Sequence, residues 1–261
     1  MKKRALFAAL GLTLALTACA AEPGGPASST PAPESTPPDA SEPAAAGPVV
    51  EKAGARQAFS AALERVLRDR ILPDGTDYSA GAELYPNTEE NQFAVCDVDG
   101  DGAEELILLY NNIMMAGVRG FVYSWDEETG AVGVQLEGMP RLVFYESGAV
   151  ESLAAHNQRM MSGTFWPYSI YRYDSYLDTY LDVGSVYAWS REALENGYPE
   201  EADTSGTGTV YYIATDGGDS TEPLDASVYE AWRYVYVRDG RQIQPEYLSL
   251  TEENIRCLLE E

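Results

Sequence analysis

Asp97-Val98-Asp99-Gly100-Asp101-Gly102-Ala103-Glu104-Glu105-Leu106 sets three aspartates at alternate positions, bends the chain at two glycines and then runs into apolar residues. Alternate side chains of an extended segment point the same way, so Asp97, Asp99 and Asp101 converge at the first, third and fifth positions of a loop. Gly102 takes the sixth, where a sharp bend calls for a positive φ that a Cβ would resist. Phe93-Ala94-Val95-Cys96 precedes the loop and Leu106-Ile107-Leu108-Leu109-Tyr110 follows it. Short apolar runs on either side of a tight acidic bend read as the two strands of a hairpin.

Working outward, the strand-turn-strand pattern repeats. Residues 120–125 meet Glu127-Glu128-Thr129-Gly130 before 131–136, and 142–146 meet Ser147-Gly148 before 150–155. Further strands are expected at 168–173, 180–189, 208–214 and 232–237, the last turning at Asp239-Gly240. Upstream, Phe59, Ala62, Leu63, Val66 and Leu67 recur at helical spacing within 56–71, with Arg65, Arg68 and Asp69 opposite. Pro73-Asp74-Gly75 ends that helix, and a loop rich in Asp, Gly and Pro runs on to Asn91. Thr251-Glu252-Glu253-Asn254 opens a closing helix carrying Ile255, Leu258 and Leu259. The expected fold is α+β and mostly β: an antiparallel meander of hairpins with an N-terminal amphipathic helix and a short C-terminal helix. The basic first helix is expected to lie across an acidic sheet.

The loop has the chemistry of a site for a hard dication. Ca²⁺ takes six to eight oxygens at about 2.3–2.6 Å, and a loop supplies them by turning alternate side chains inward and adding a backbone carbonyl at the bend. Asp97, Asp99 and Asp101 offer carboxylates, Ala103 its carbonyl, and Glu105, at the ninth position, closes the site. An EF-hand would need a bidentate Glu at the twelfth position, where Leu108 stands. Glu104 should point away in a strand of period two. Four carboxylates on one ion favour Ca²⁺ over Mg²⁺, which keeps more of its waters. The plain alternative is that Asp and Gly simply make a good turn.

With Phe93 four residues ahead and Leu106 behind, the pattern resembles the FG-GAP and VCBS type of calcium loop, which joins strands in integrin-like propellers and many secreted bacterial proteins. The resemblance covers about fourteen residues. It implies that Asp97, Asp99, Asp101 and Glu105 hold a structural rather than a catalytic ion. Propellers of this type repeat the motif from blade to blade, whereas one good copy is present here. Asp216-Gly217-Gly218-Asp219-Ser220-Thr221 is acidic and Gly-rich but lacks the spacing.

The first fifty residues read as address and tether. Lys2, Lys3 and Arg4 precede an apolar stretch that ends at Leu16-Thr17-Ala18-Cys19, the form of an export signal. Small residues ending on a cysteine resemble a bacterial lipobox, which implies cleavage before Cys19 and acylation of its sulfur. Stable anchoring needs two acyl chains, and the apolar run falls short of the roughly 20 residues of a membrane span. Residues 1–18 are thus expected to be a lipoprotein signal, 19–49 a lipidated cysteine with a disordered Pro/Ala/Ser-rich tether, and 50–261 one extracytoplasmic domain. The segment 20–48 has almost no large apolar side chains to offset the entropy of ordering. As a coil it would span about 30 Å, lifting the domain off the membrane.

The chain is strongly acidic, with a formal charge of −25. Removing Lys2, Lys3 and Arg4 with a signal makes it still more negative. Such a surface excludes nucleic acid as a partner, because that binding needs a positive footprint, and it excludes a polybasic membrane patch. With Cys19 lipidated, Cys96 and Cys257 remain, and both a bridge between them and two free thiols are open.

The one histidine, His156, precludes a multi-His zinc site. Ala155-His156-Asn157 has no nucleophile-elbow pattern beside it, so His156 reads as an ordinary polar residue at a strand end. The many tyrosines, with Trp125, Trp166, Trp189 and Trp232, suit half-buried strands as well as sugar platforms; Phe165-Trp166-Pro167-Tyr168 is the best candidate for an exposed aromatic loop. No catalytic residue is singled out. The sequence therefore points to a lipid-anchored protein on the extracytoplasmic face of the cell membrane, with a Ca²⁺-stabilised domain that binds or scaffolds an envelope protein or glycan. The rival is a secreted hydrolase of wall polymer or glycan, which needs two carboxylates about 5–9 Å apart in a cleft. Solute capture for a transporter would call for a two-lobed α/β chain.

Overall fold

A computed structural model describes residues 48–80, 83–114, 117–154, 164–194, 196–215 and 222–260. Ala45–Glu261 forms one compact unit. Its chain order is helix α1 (Pro48–Asp69), strands β1 (Gln92–Cys96), β2 (Glu105–Tyr110), β3 (Arg119–Asp126), β4 (Ala131–Gly138), β5 (Leu142–Tyr145), β6 (Ala149–Leu153), β7 (Tyr168–Asp174), β8 (Thr179–Ser190) and β9 (Thr209–Ala214), helix α2 (Ala226–Val237), strands β10 (Gln242–Ile243) and β11 (Leu248–Ser249), and helix α3 (Glu252–Cys257).

The strands form two antiparallel sheets. The first has the order β11-β1-β2-β3-β4 and the second β10-β5-β6-β7-β8-β9. Within each, strands consecutive in the chain lie side by side and antiparallel, and the chain returns near its end to add a two-residue strand to one edge of each sheet. The acidic loop joins β1 to β2, whose pairing runs from Gln92 opposite Leu109 to Cys96 opposite Glu105.

Three apolar layers hold the sheets and helices together. Phe59, Leu63 and Val66 of α1, with Ile255 and Leu258 of the C-terminal segment, pack on Phe93, Leu106, Leu108, Phe121 and Tyr123 of the first sheet. The other face of that sheet, with Ala94, Ile107, Leu109, Val122 and Leu136, meets Phe144, Val150 and Tyr180 of the second. The far side of the second sheet, through Tyr168, Ile170 and Val186, packs on Tyr229 and Val237 of α2. β2 is therefore covered on both faces. That explains why Leu106 to Tyr110 is a continuous apolar run rather than an alternating one.

Several expectations are corrected. Residues 232–237 are not a strand but the second half of α2. Their valines and aromatics suggest β, yet Asp225 accepts the Ser227 N–H as an N-cap, and Tyr229, Trp232, Tyr236 and Val237 recur at helical spacing against the second sheet. The first helix spans Pro48–Asp69 rather than 56–71, stopping as Arg70 adopts a positive φ. It meets an apolar sheet face rather than an acidic one; its charged contact is with the loop. Phe165-Trp166-Pro167-Tyr168 is not an exposed loop: Phe165 and Trp166 are half-buried, Phe165 stands edge-on to Tyr211, and Pro167 and Tyr168 are buried. Cys96 and Cys257 are free thiols. His156 and Cys19 lie outside the described residues.

Candidate metal centre

The loop is organised by its own carboxylates. Asp97 accepts the Gly100 N–H at 2.7 Å through Oδ1 and the Gly102 N–H at 3.1 Å through Oδ2. Asp99 Oδ1 accepts the Asp101 N–H at 3.1 Å, and Asp101 Oδ1 accepts the Ala103 N–H at 2.7 Å. Gly100 and Gly102 both adopt positive φ, the backbone conformation that glycine enters without steric cost. Glu105, buried at the first position of β2, reaches back so that its Oε2 accepts the Val98 N–H at 2.8 Å.

This folding brings Asp97, Asp99 and Glu105 together, with one oxygen from each lying within 4.8 Å of the others. Oxygens bound to one Ca²⁺ at 2.3–2.6 Å sit within about 5 Å of each other, so the donor set fits the ion. Asp99 Oδ2 is buried and accepts no hydrogen bond, which leaves lone pairs free for a cation. Glu104 turns the other way, to Arg56 and Lys52 of α1. Ala103 is exposed.

Electrostatics point in the same direction. Burial pushes the Asp99 carboxyl up to about 6, with the charges of Asp101 and Asp97 adding to the effect and the Asp101 N–H and Gln135 opposing it. Burial pushes Glu105 up to about 9, opposed by the Val98 N–H and reinforced by Asp99, Asp101 and Asp97. Carboxylates that resist ionisation because they are buried beside one another are stabilised as anions by a nearby positive charge.

Spacing along the chain does not reveal a second group. Asp178, on the turn between β7 and β8, shares a 4.8 Å cluster with Asp99 and Asp101. It is held by the Gln135 amide at 2.6 Å, the Tyr173 hydroxyl at 2.9 Å and the Ser124 hydroxyl at 2.9 Å. Tyr173 also reaches Asp101 at 3.3 Å. These residues come from β3, β4, β7 and the β7–β8 turn, and only the packing of one sheet on the other gathers them at the loop.

Elsewhere, a groove of about 590 Å³ runs between the second sheet and α2, with Tyr145, Glu151, Phe165, Trp166, Tyr229 and Arg233 in its walls. Arg233 pairs with Glu151 at 2.7 Å and donates to the Tyr145 hydroxyl at 3.0 Å. Tyr145, Glu151 and Arg233 are thus committed to one another. No family model, curated protein or solved structure matches this chain.

Proposed function

We propose that the 97–105 loop holds a structural Ca²⁺ and that the β-rich body it braces is a binding or scaffold module of the cell envelope, anchored by lipid on Cys19. The reading carries its finer fold assignment with it, a meander of hairpins closed by an amphipathic first helix and a short last one. Its main support is the convergence of Asp97, Asp99 and Glu105 around a buried carboxylate oxygen that accepts no hydrogen bond. The lipobox-like segment supports the address. Among the described residues no helix is long and apolar enough to cross a membrane. The aromatic groove beside α2 offers a face suited to an apolar or sugar-ring ligand.

Loop sites of extracellular modules bind at about 10⁻⁴–10⁻³ M, so at about millimolar calcium the ion would add on the order of 1 kcal/mol of stability. The test is calorimetric titration of Ca²⁺ into chelator-stripped protein, with melting curves, beside the Asp99→Asn/Asp101→Asn variant. Saturable binding with a raised melting temperature, lost in the variant, is expected. Absence of both at millimolar calcium would reduce the loop to a turn. For the anchor, membrane fractionation of Cys19→Ala is decisive: a variant that stays membrane-bound would overturn it.

A further inference from the structure

The cluster of Asp99, Asp101 and Asp178 crosses from one sheet to the other, and its surroundings contain polar atoms that lack partners. Asp99 Oδ2, Gln135 Oε1 and the Tyr180 hydroxyl are all buried without a hydrogen bond, in residues 8%, 4% and 7% exposed. Gln135 lies against the cluster, because its Nε2 donates to Asp178 at 2.6 Å. Tyr180 stands against Tyr173, their ring centroids 5.5 Å apart. Three donors hold Asp178 in place, and the Tyr173 hydroxyl lies within 2.9 Å of Asp178 and 3.3 Å of Asp101, so the two carboxylates face one another across it. An all-oxygen set of this kind suits a hard divalent cation, and buried polar atoms are normally satisfied by some partner.

We propose a second cation position in which Asp178 of the second sheet joins Asp99 and Asp101 of the loop, so that a divalent ion there fastens one sheet to the other. This rests on the loop reading above, since Asp99 serves both positions as a bridge. Two ions on Asp97, Asp99, Asp101, Glu105 and Asp178 would also balance most of the negative charge collected at this end of the sandwich. The two positions divide the work: the first shapes the hairpin, and the second ties that hairpin to the β7–β8 turn.

The experiment is calorimetric titration of Ca²⁺ into the full chain after chelator treatment, in the parent and in Asp178→Asn and Glu105→Gln. Asparagine tolerates the positive φ of Asp178, so Asp178→Asn removes charge while keeping the turn. Two equivalents are expected in the parent. In Asp178→Asn one equivalent is retained and the other weakens at least tenfold, while Glu105→Gln loses the complementary one. A single equivalent in the parent overturns the second position and leaves the loop site standing, whatever the variants do. Two equivalents of unchanged affinity in Asp178→Asn overturn the role of Asp178. No binding to the parent overturns both readings.

Discussion

Arg56 grips Glu104 with two parallel hydrogen bonds, Nε to Oε2 at 2.9 Å and Nη2 to Oε1 at 3.1 Å, and so fastens α1 to the acidic loop. The neighbouring Glu105 faces the opposite way, into the loop. Adjacent glutamates thus have separate tasks, one binding the helix and one closing the candidate site. Glu104→Gln should lower stability by roughly 1–2 kcal/mol and leave the calcium-dependent rise in melting temperature unchanged. Glu105→Gln should diminish that rise. Melting curves with calcium and with chelator check both.

Gly148 allows the β5–β6 turn to approach the loop. It adopts φ +75°, and a Cβ there would stand 3.4 Å from the Asp99 carbonyl oxygen. Gly148→Ala should cost about 1–2 kcal/mol in denaturant unfolding, chiefly through the left-handed backbone.

Covering β2 on both faces has a measurable consequence. Ile107 points to the second sheet and Leu108 to α1, and both are fully buried. Ile107→Ala and Leu108→Ala should each cost about 2–5 kcal/mol. A sheet with one wet face would show a large loss at only one of the two.

The cap of α2 should give the stability curve an acid limb. The Ser227 hydroxyl and the Ser205 N–H hold the Asp225 carboxyl well below the usual carboxylate range. A group depressed in the folded state contributes stability above its unfolded pKa of about 3.9, and that contribution is lost as pH falls toward the folded value. Asp225→Ala should therefore melt lower than the parent at neutral pH, and the gap should narrow below about pH 4.

The two thiols should react unequally. Burial, with Glu105, Asp97 and Glu104 nearby, pushes Cys96 up to about 11, while Cys257 is exposed. Alkylation of the native protein at pH 8 followed by peptide mapping should label Cys257 and spare Cys96; equal labelling would contradict this packing.

The sequence alone determined what depends on near neighbours. Alternating aspartates and two glycines specify the 97–105 loop, Ser147-Gly148 a hairpin turn, and Thr251 a helix cap, because each is a contact made within a few residues. The tertiary structure decided what depends on partners far along the chain. Valine and aromatic residues favour a strand, and the Asp225 cap with the apolar face of the second sheet overrode that preference and selected helix for 226–237. Asp178 carries no local signature either. It reaches Asp99 and Asp101 because burying Ile107, Val122 and Leu136 against Phe144, Val150 and Tyr180 presses the two sheets together, a consequence of removing apolar surface from water that no short stretch of sequence encodes.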